Sequence, residues 1–424
     1  MKKLFLLLVI ILGSAIAFSA GWFSRGLIIK RNPSPSNPHL AFLEEVKETI
    51  KQNYWERIPE EQLGELFLSA GEKVSGQPQL RKKTDPQTLW QSLEKILEKI
   101  PEEKKIDFVT QVADLVLTNL QPVDRSRLYT QKEEKSLAEA VYNVTNEDFY
   151  QTLEVPKQAN EEEITKAYQE KKTQLEKEAS FSPTASAQLK KLQKAYQTLS
   201  EKENRQFYDQ AGIEPTIEYA LLHPDVLHLH LKKISPTSLE ELQRVTQKFD
   251  KDGGPTSLIL DLRDNVGGSL DILPYLLGPF IGPDSEAFRL YQQGEKHPFR
   301  TQTGWLPSLV RYKKVVILIN QNTQSSAEAM AGALKKYNVG VLVGTPTKGW
   351  GTIERVFPLT NQISQNIKYS IFLVHSLVLA DDGQPIEGRG IQPTIDINNP
   401  NWKKELENYF NYPSLIEAVS QLVK

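Results

Sequence analysis

Ser325 and Ser326 stand where a hydroxyl can be turned into a nucleophile. The apolar run Val315 to Ile319 ends in polar residues that hold both serines, and Ala329 to Tyr337 follows with helical spacing. A second apolar run, Val341 to Val343, leads into Gly344-Thr345-Pro346-Thr347-Lys348-Gly349-Trp350-Gly351. Glycines there allow tight backbone, and a lysine or its neighbour can reach back toward the serine. Strand, serine turn, helix, strand and lysine-bearing loop suit a serine–lysine hydrolase. A hydroxyl attacks only when a base takes its proton, and lysine serves as that base only when burial lowers its pKa. Upstream, Ser257 to Leu262 reads as a buried strand ending in Arg263-Asp264-Asn265-Val266-Gly267-Gly268. Paired glycines at the carboxyl end of a sheet strand either aim N–H groups at an anion or make a tight turn with a helix cap.

Elements that position such a site need a sizeable core. The 424 residues, 39% apolar and 25% charged, support two or three domains. A net charge of −2, with no basic cluster interleaved with aromatics, argues against nucleic acid as a partner. The absence of cysteine removes disulfides, thiolate metal sites and a cysteine nucleophile. His228 and His230 have strand spacing and no third ligand nearby, so a half-exposed strand is expected and neither metal nor cofactor.

In chain order, Met1-Lys2-Lys3 precedes an apolar run from Leu4 to Phe23, about long enough to span a bilayer. Arg25, Lys30 and Arg31 follow it, which favours an uncleaved signal anchor over a cleaved signal. Charge on both flanks leaves the orientation open by the positive-inside rule, and the long body after the anchor is expected outside the cytoplasm. Residues 1–38 are read as this anchor and a linker. Residues 39–142 form an N-terminal helical region, with Phe42, Val46 and Ile50 as one stripe and Leu89, Leu93, Ile96 and Leu97 as another. Gln121 to Thr130 reads as a structured loop. Residues 143–215 form a charged helical insert in which Asn160 caps a helix with Glu163 three residues on. From 216 to 424, Val226–Leu231, the amphipathic stretch Ser238–Phe249 and Ser257–Leu262 alternate as strand, helix, strand. The expected class is an α/β (α+β) core with crossover βαβ units, an N-terminal helical region and an inserted all-α domain.

The insert resembles a DnaJ-type J domain through Asp148 to Val155, Glu161 to Tyr168, and Lys194 to Ser200 running into Arg205-Gln206-Phe207-Tyr208-Asp209. That family's His-Pro-Asp should lie eight residues after Tyr168, where Glu176-Lys177-Glu178 stands. The resemblance therefore implies a spacer or docking module, and no chaperone ATPase partner is expected. His223-Pro224-Asp225 lies beyond the last insert helix and reads as a turn before a strand.

The rest of the chain resembles the C-terminal processing peptidases, or tail-specific proteases. Leu258 to Gly268 is similar to their L-I-L-D-L-R-x-N-P-G-G, and Ser325 to Leu334 to S-A-S-E-x-x-A-G-A-L. Gly344 to Gly351 and Gly383 to Pro393 match two further motifs, and Gln121 to Thr130 an early loop. The resemblance implies Ser325 as nucleophile, with the amide of Ser326 and one from Gly267 or Gly268 as the oxyanion hole. It also implies a lysine at position 350, but the residue is Trp350, whose indole cannot accept a proton. Glu354 takes the place of a supporting glutamine, Lys336 that of an aspartate, and Val266 that of a proline. Lys348 is a possible displaced base: on an extended segment it would share a face with Trp350, about 6 to 7 Å away. The insert also occupies the slot of the family's peptide-binding PDZ domain. The expectation is a membrane-anchored, extracytoplasmic pseudopeptidase that binds a polypeptide client or acts as a scaffold. The alternative is a serine endopeptidase using Ser325 and Lys348 on protein tails, and a co-chaperone comes third.

Overall fold

The structure is a computed structural model that describes residues 37–76, 86–179 and 182–423. The apolar run Leu4–Phe23 and the linker up to residue 36 lie outside the described residues, as do the side chains of Leu89 and Glu178. Among the described residues no helix is long and apolar enough to cross a membrane.

Asn37 caps α1 (Pro38–Asn53), its side chain accepting from the His39 N–H at 3.0 Å. Helices α2 (Glu60–Ser75), α3 (Pro86–Glu98) and α4 (Lys105–Thr118) follow. Phe42, Val46, Ile50 and Ile96 are fully buried. They pack with Ile371, Leu373 and Val374 from near the other end of the chain, so the early helices share one core with a late strand. The 121–130 stretch, read as a loop, ends instead in strand β1 (Arg127–Thr130), which pairs antiparallel with residues 369–372. A strand this short is made by its partner rather than by its own propensity.

Helix α5 (Gln131–Val141) leads into the insert, comprising α6 (Phe149–Leu153), α7 (Glu161–Ala179), α8 (Pro183–Ser200) and α9 (Lys202–Ala211). Asn160 and Glu163 cap α7 reciprocally at 3.0 and 2.8 Å. Tyr168 of α7 stacks on Tyr196 of α8 with centroids 4.0 Å apart. Arg205 donates to the Tyr150 hydroxyl and to the carbonyls of Ala159 and Lys157, each at 2.8 Å. The 176–178 position lies within α7.

The core begins with the hairpin β2 (Ile217–His223) and β3 (Val226–Leu231), followed by α10 (Ser238–Lys248), β4 (Ser257–Asp261) and α11 (Leu273–Ile281). Next come β5 (Glu286–Gln292), β6 (Glu295–Arg300), α12 (Pro307–Val310), β7 (Lys314–Ile319), α13 (Ser326–Lys336) and β8 (Val341–Gly344). The chain closes with β9 (Thr352–Pro358), β10 (Tyr369–Leu379), β11 (Ile395–Asp396), α14 (Trp402–Phe410) and α15 (Pro413–Leu422). One sheet runs β11-β8-β7-β4-β3-β2 and is parallel except for edge strand β2. The other gathers β1, β5 and β9 antiparallel on β10, with β6 outside β5.

Pro224 and Asp225 form the β2–β3 turn, and Asp225 accepts from the Tyr412 and Ser414 hydroxyls, tying the turn to α15. His228 and His230 are half-buried on β3. Their Nε2 atoms lie 3.1 Å from Asp261 Oδ2 and from the Arg263 carbonyl. The Asp261 carboxylate is opposed by its burial, yet Arg263 and His228 hold it well below the usual range. No metal-binding group occurs among the described residues.

Candidate active site

The loop after β4 and the loop after β7 meet at the carboxyl ends of two adjacent parallel strands, where each strand releases its chain on the same side of the sheet. Thr323 Oγ1 donates to the Leu262 carbonyl at 2.8 Å and the Gln324 N–H to the Asn265 carbonyl at 2.9 Å. Asp264 Oδ1 accepts from the side-chain amides of Asn320 and Asn322 at 3.0 and 2.8 Å. The buried Asn265 donates to the Leu231 carbonyl at 2.8 Å and accepts the Gly267 N–H at 2.8 Å.

Ser325 occupies the N-cap of α13 with φ 57° and ψ −129°. A non-glycine residue held at positive φ stores local strain, as the serine of a strand–turn–helix nucleophile elbow does. Gly267 presses against it: a Cβ there would fall 2.8 Å from Ser325 Cβ, at a φ of +87°. Gly267→Ala is therefore expected to cost about 2 kcal/mol in urea unfolding. Unchanged stability would contradict this close approach. Of the three candidate oxyanion donors, Gly267 is engaged by Asn265. The N–H groups of Gly268 and Ser326 have no acceptor among the described residues, as donors meant for a carbonyl oxygen would require.

Glu328 is fully buried and joins the two halves of the site. Its Oε2 accepts from the N–H groups of Ser325 at 2.9 Å and Trp350 at 2.7 Å; its Oε1 accepts from Gly349 N–H at 2.7 Å and Thr347 Oγ1 at 2.5 Å. Burial pushes its pKa up, against the pull of those donors. The carboxylate thus ties the base-side loop to the nucleophile turn.

On the base side, residues 345–351 are irregular and Gly349 has φ 78°, so Lys348 and Trp350 do not lie on an extended strand. This removes the premise for Lys348 as a displaced base. Its N–H donates to the Thr323 carbonyl at 3.0 Å and the residue is exposed, whereas a lysine base works from a dry pocket. Trp350 is half-buried under Arg125, whose guanidinium carbon stands 3.4 Å from the ring centroid. Arg125 also donates to Thr352 Oγ1 at 2.9 Å and Glu387 Oε1 at 3.1 Å. Glu387 Oε2 accepts the Gly351 N–H at 2.7 Å. Trp350 Nε1 donates to Glu354 Oε1 at 3.3 Å, and Thr352 Oγ1 to the same oxygen at 2.6 Å; burial raises the pKa of Glu354. Lys336 turns away, donating to the Glu286 carbonyl at 3.0 Å.

Arg125 and Glu387 escaped the sequence reading. Both lie in stretches picked out as motifs, but their ion pair spans 262 residues and nothing local announces it.

Residues 225–397 match peptidase family S41, and residues 148–209 match the DnaJ domain. The core is similar to family S41 peptidases over residues 225–397. Two probable CtpA-like serine proteases from strains of Staphylococcus epidermidis are 29% identical over 175 residues and 30% identical over 177 residues. Each alignment covers 41% of this chain, and the chain spans 34% of the length of these relatives. The solved photosystem II D1 C-terminal processing protease superposes with a TM-score of 0.49 at 14% identity, over 86% of this chain and 94% of that one. In this chain the Ser325 turn is tied through Glu328 to a loop that presents the Trp350 indole under the Arg125 guanidinium.

Proposed function

We propose that this chain is a degenerate S41 peptidase that engages a polypeptide client without cutting it. The observation that carries this reading is the Arg125–Trp350 stack. An indole replaces the amine at the base position, and a guanidinium, which cannot be deprotonated in a protein, covers the indole at 3.4 Å. A Ser325 hydroxyl without a base attacks too slowly to matter, while the amides of Gly268 and Ser326 can still receive a carbonyl oxygen. The apolar run Leu4–Phe23 would serve as a signal anchor, holding the body at the membrane on its extracytoplasmic side. The insert, with Glu176 to Glu178 where a J domain carries His-Pro-Asp, would act as a docking or spacing module.

The test is incubation of the full chain with an unstructured polypeptide ending in apolar residues, beside Ser325→Ala and Lys348→Ala. No turnover above background is expected from any of the three. Turnover that disappears in both variants would overturn the reading and install Lys348 as the base. Trp350→Lys, alone and with Glu354→Gln, is expected to gain measurable cleavage; the double variant's staying silent would mean that the missing amine is not the cause.

A further inference from the structure

A groove of about 960 Å³ runs beside α13, bounded by β5 and by the 378–394 segment, and Ser325 is not among the residues that line it. Ala329, Gly332 and Ala333, at helical spacing, give α13 a low wall on this side, and Val378, Ile386 and Ile391 face into the same space. Glu328 is also among the lining residues.

The charges around the groove do not balance. Its acidic residues are all engaged: Glu286 by Arg289 at 2.8 Å, Asp382 by Arg389 at 2.9 Å, Asp381 by Lys336 at 3.7 Å, and Glu328 by its four donors. Lys296, Lys313 and Lys335 are left, all exposed and none in an ion pair among the described residues; Lys335 donates to the Gln392 carbonyl at 2.8 Å. Lysines without ion-pair partners over an apolar floor stand out in a chain whose net charge is −2. Helix α13 has 11 residues, so the groove beside it is about 16 Å long. That length takes about five residues of extended chain.

We propose that this groove binds an extended acidic segment of a polypeptide, with apolar side chains against Ala329, Gly332 and Ala333 and carboxylates paired with Lys296, Lys313 and Lys335. The proposal rests on the reading that the chain engages polypeptides, and it names the class of segment recognised. Glu328 gives the groove a route to the site, since this lining carboxylate also holds the backbone of Ser325 and Trp350.

The test is fluorescence anisotropy on the full-length chain in detergent, with short labelled peptides alternating leucine with glutamate, glutamine or lysine. The glutamate peptide is expected to bind about tenfold tighter than the glutamine peptide and to weaken with added salt. The triple variant Lys296→Glu, Lys313→Glu, Lys335→Glu is expected to lose the glutamate peptide and gain the lysine peptide. Equal binding of the glutamate and glutamine peptides would overturn the proposal, as would an unaffected triple variant or displacement of the peptide by an equally charged oligothymidylate. Peptide integrity is read in the same samples. Cleavage would overturn the pseudopeptidase reading and leave groove binding standing; intact but unbound peptide would overturn the groove alone.

Discussion

Glu328→Gln is expected to destabilise the chain by about 2 to 6 kcal/mol, because each of two unmatched buried donors costs about 1 to 3 kcal/mol. Each carboxylate oxygen of Glu328 takes two donors, Ser325 and Trp350 N–H on one, Gly349 N–H and Thr347 hydroxyl on the other. Whichever way a glutamine amide turns, its NH₂ faces two N–H or O–H groups around a fully buried side chain. Glu328→Ala would leave all four donors unmatched and is expected to cost at least as much. Urea unfolding measures the loss, and hydrogen exchange locates it: protection should fall first in 323–326 and 347–350. A glutamine variant within 1 kcal/mol of the parent would show that Glu328 does not join the two loops.

The second large effect is expected from acid. Burial, then the nearby Arg355 and His297, lower the His375 pKa from 6.5 to about 4. The folded chain keeps this imidazole neutral where the unfolded chain protonates it, so the unfolded state binds more protons between those values and stability rises with pH. The contribution is complete above pH 6.5 and is lost as the pH falls toward 4, amounting to about 3 kcal/mol at most. The geometry agrees: the Gln292 amide lies 3.0 Å from His375 Nε2, and Nδ1 lies 2.7 Å from Ser376 Oγ, so the neutral ring is satisfied on both sides. His375 sits at the irregularity in the β9–β10 pairing, beside the Val374–Glu354 pair, so the loss falls on the strands behind the site. His375→Gln should flatten the unfolding free energy between pH 4 and 7. An unchanged slope would assign the acid sensitivity elsewhere, with Glu328 excluded by sign, since a carboxyl raised by burial weakens the fold as pH rises.

Both predictions concern groups that local reading undervalues. The serine turn at Ser325 and Ser326 and the helical spacing from Ala329 to Tyr337 were legible, because the helical period acts over three or four residues. What the Glu328 carboxylate reaches lies 19 to 22 residues on, in a loop that turns at Gly349. The turn also decided Lys348: a residue count placed it near the base position, and one left-handed glycine put it on the surface.

The sequence by itself determined the parallel core around the Ser257 and Val315 strands, the serine turn at the head of α13, the paired glycines, the buried stripes of the early helices, the capped helix at Asn160 and the indole in place of the amine. Each is set by neighbours within a turn or a strand, through periodicity, caps and the backbone freedom of glycine. Only the tertiary structure decided that Gly267 gives its N–H to Asn265, that Arg125 covers Trp350 while pairing with Glu387, and that the early helices share a core with β10. The last two join residues more than 200 positions apart in the chain, and such partners are chosen by the packing of whole elements, which no local pattern of residues encodes.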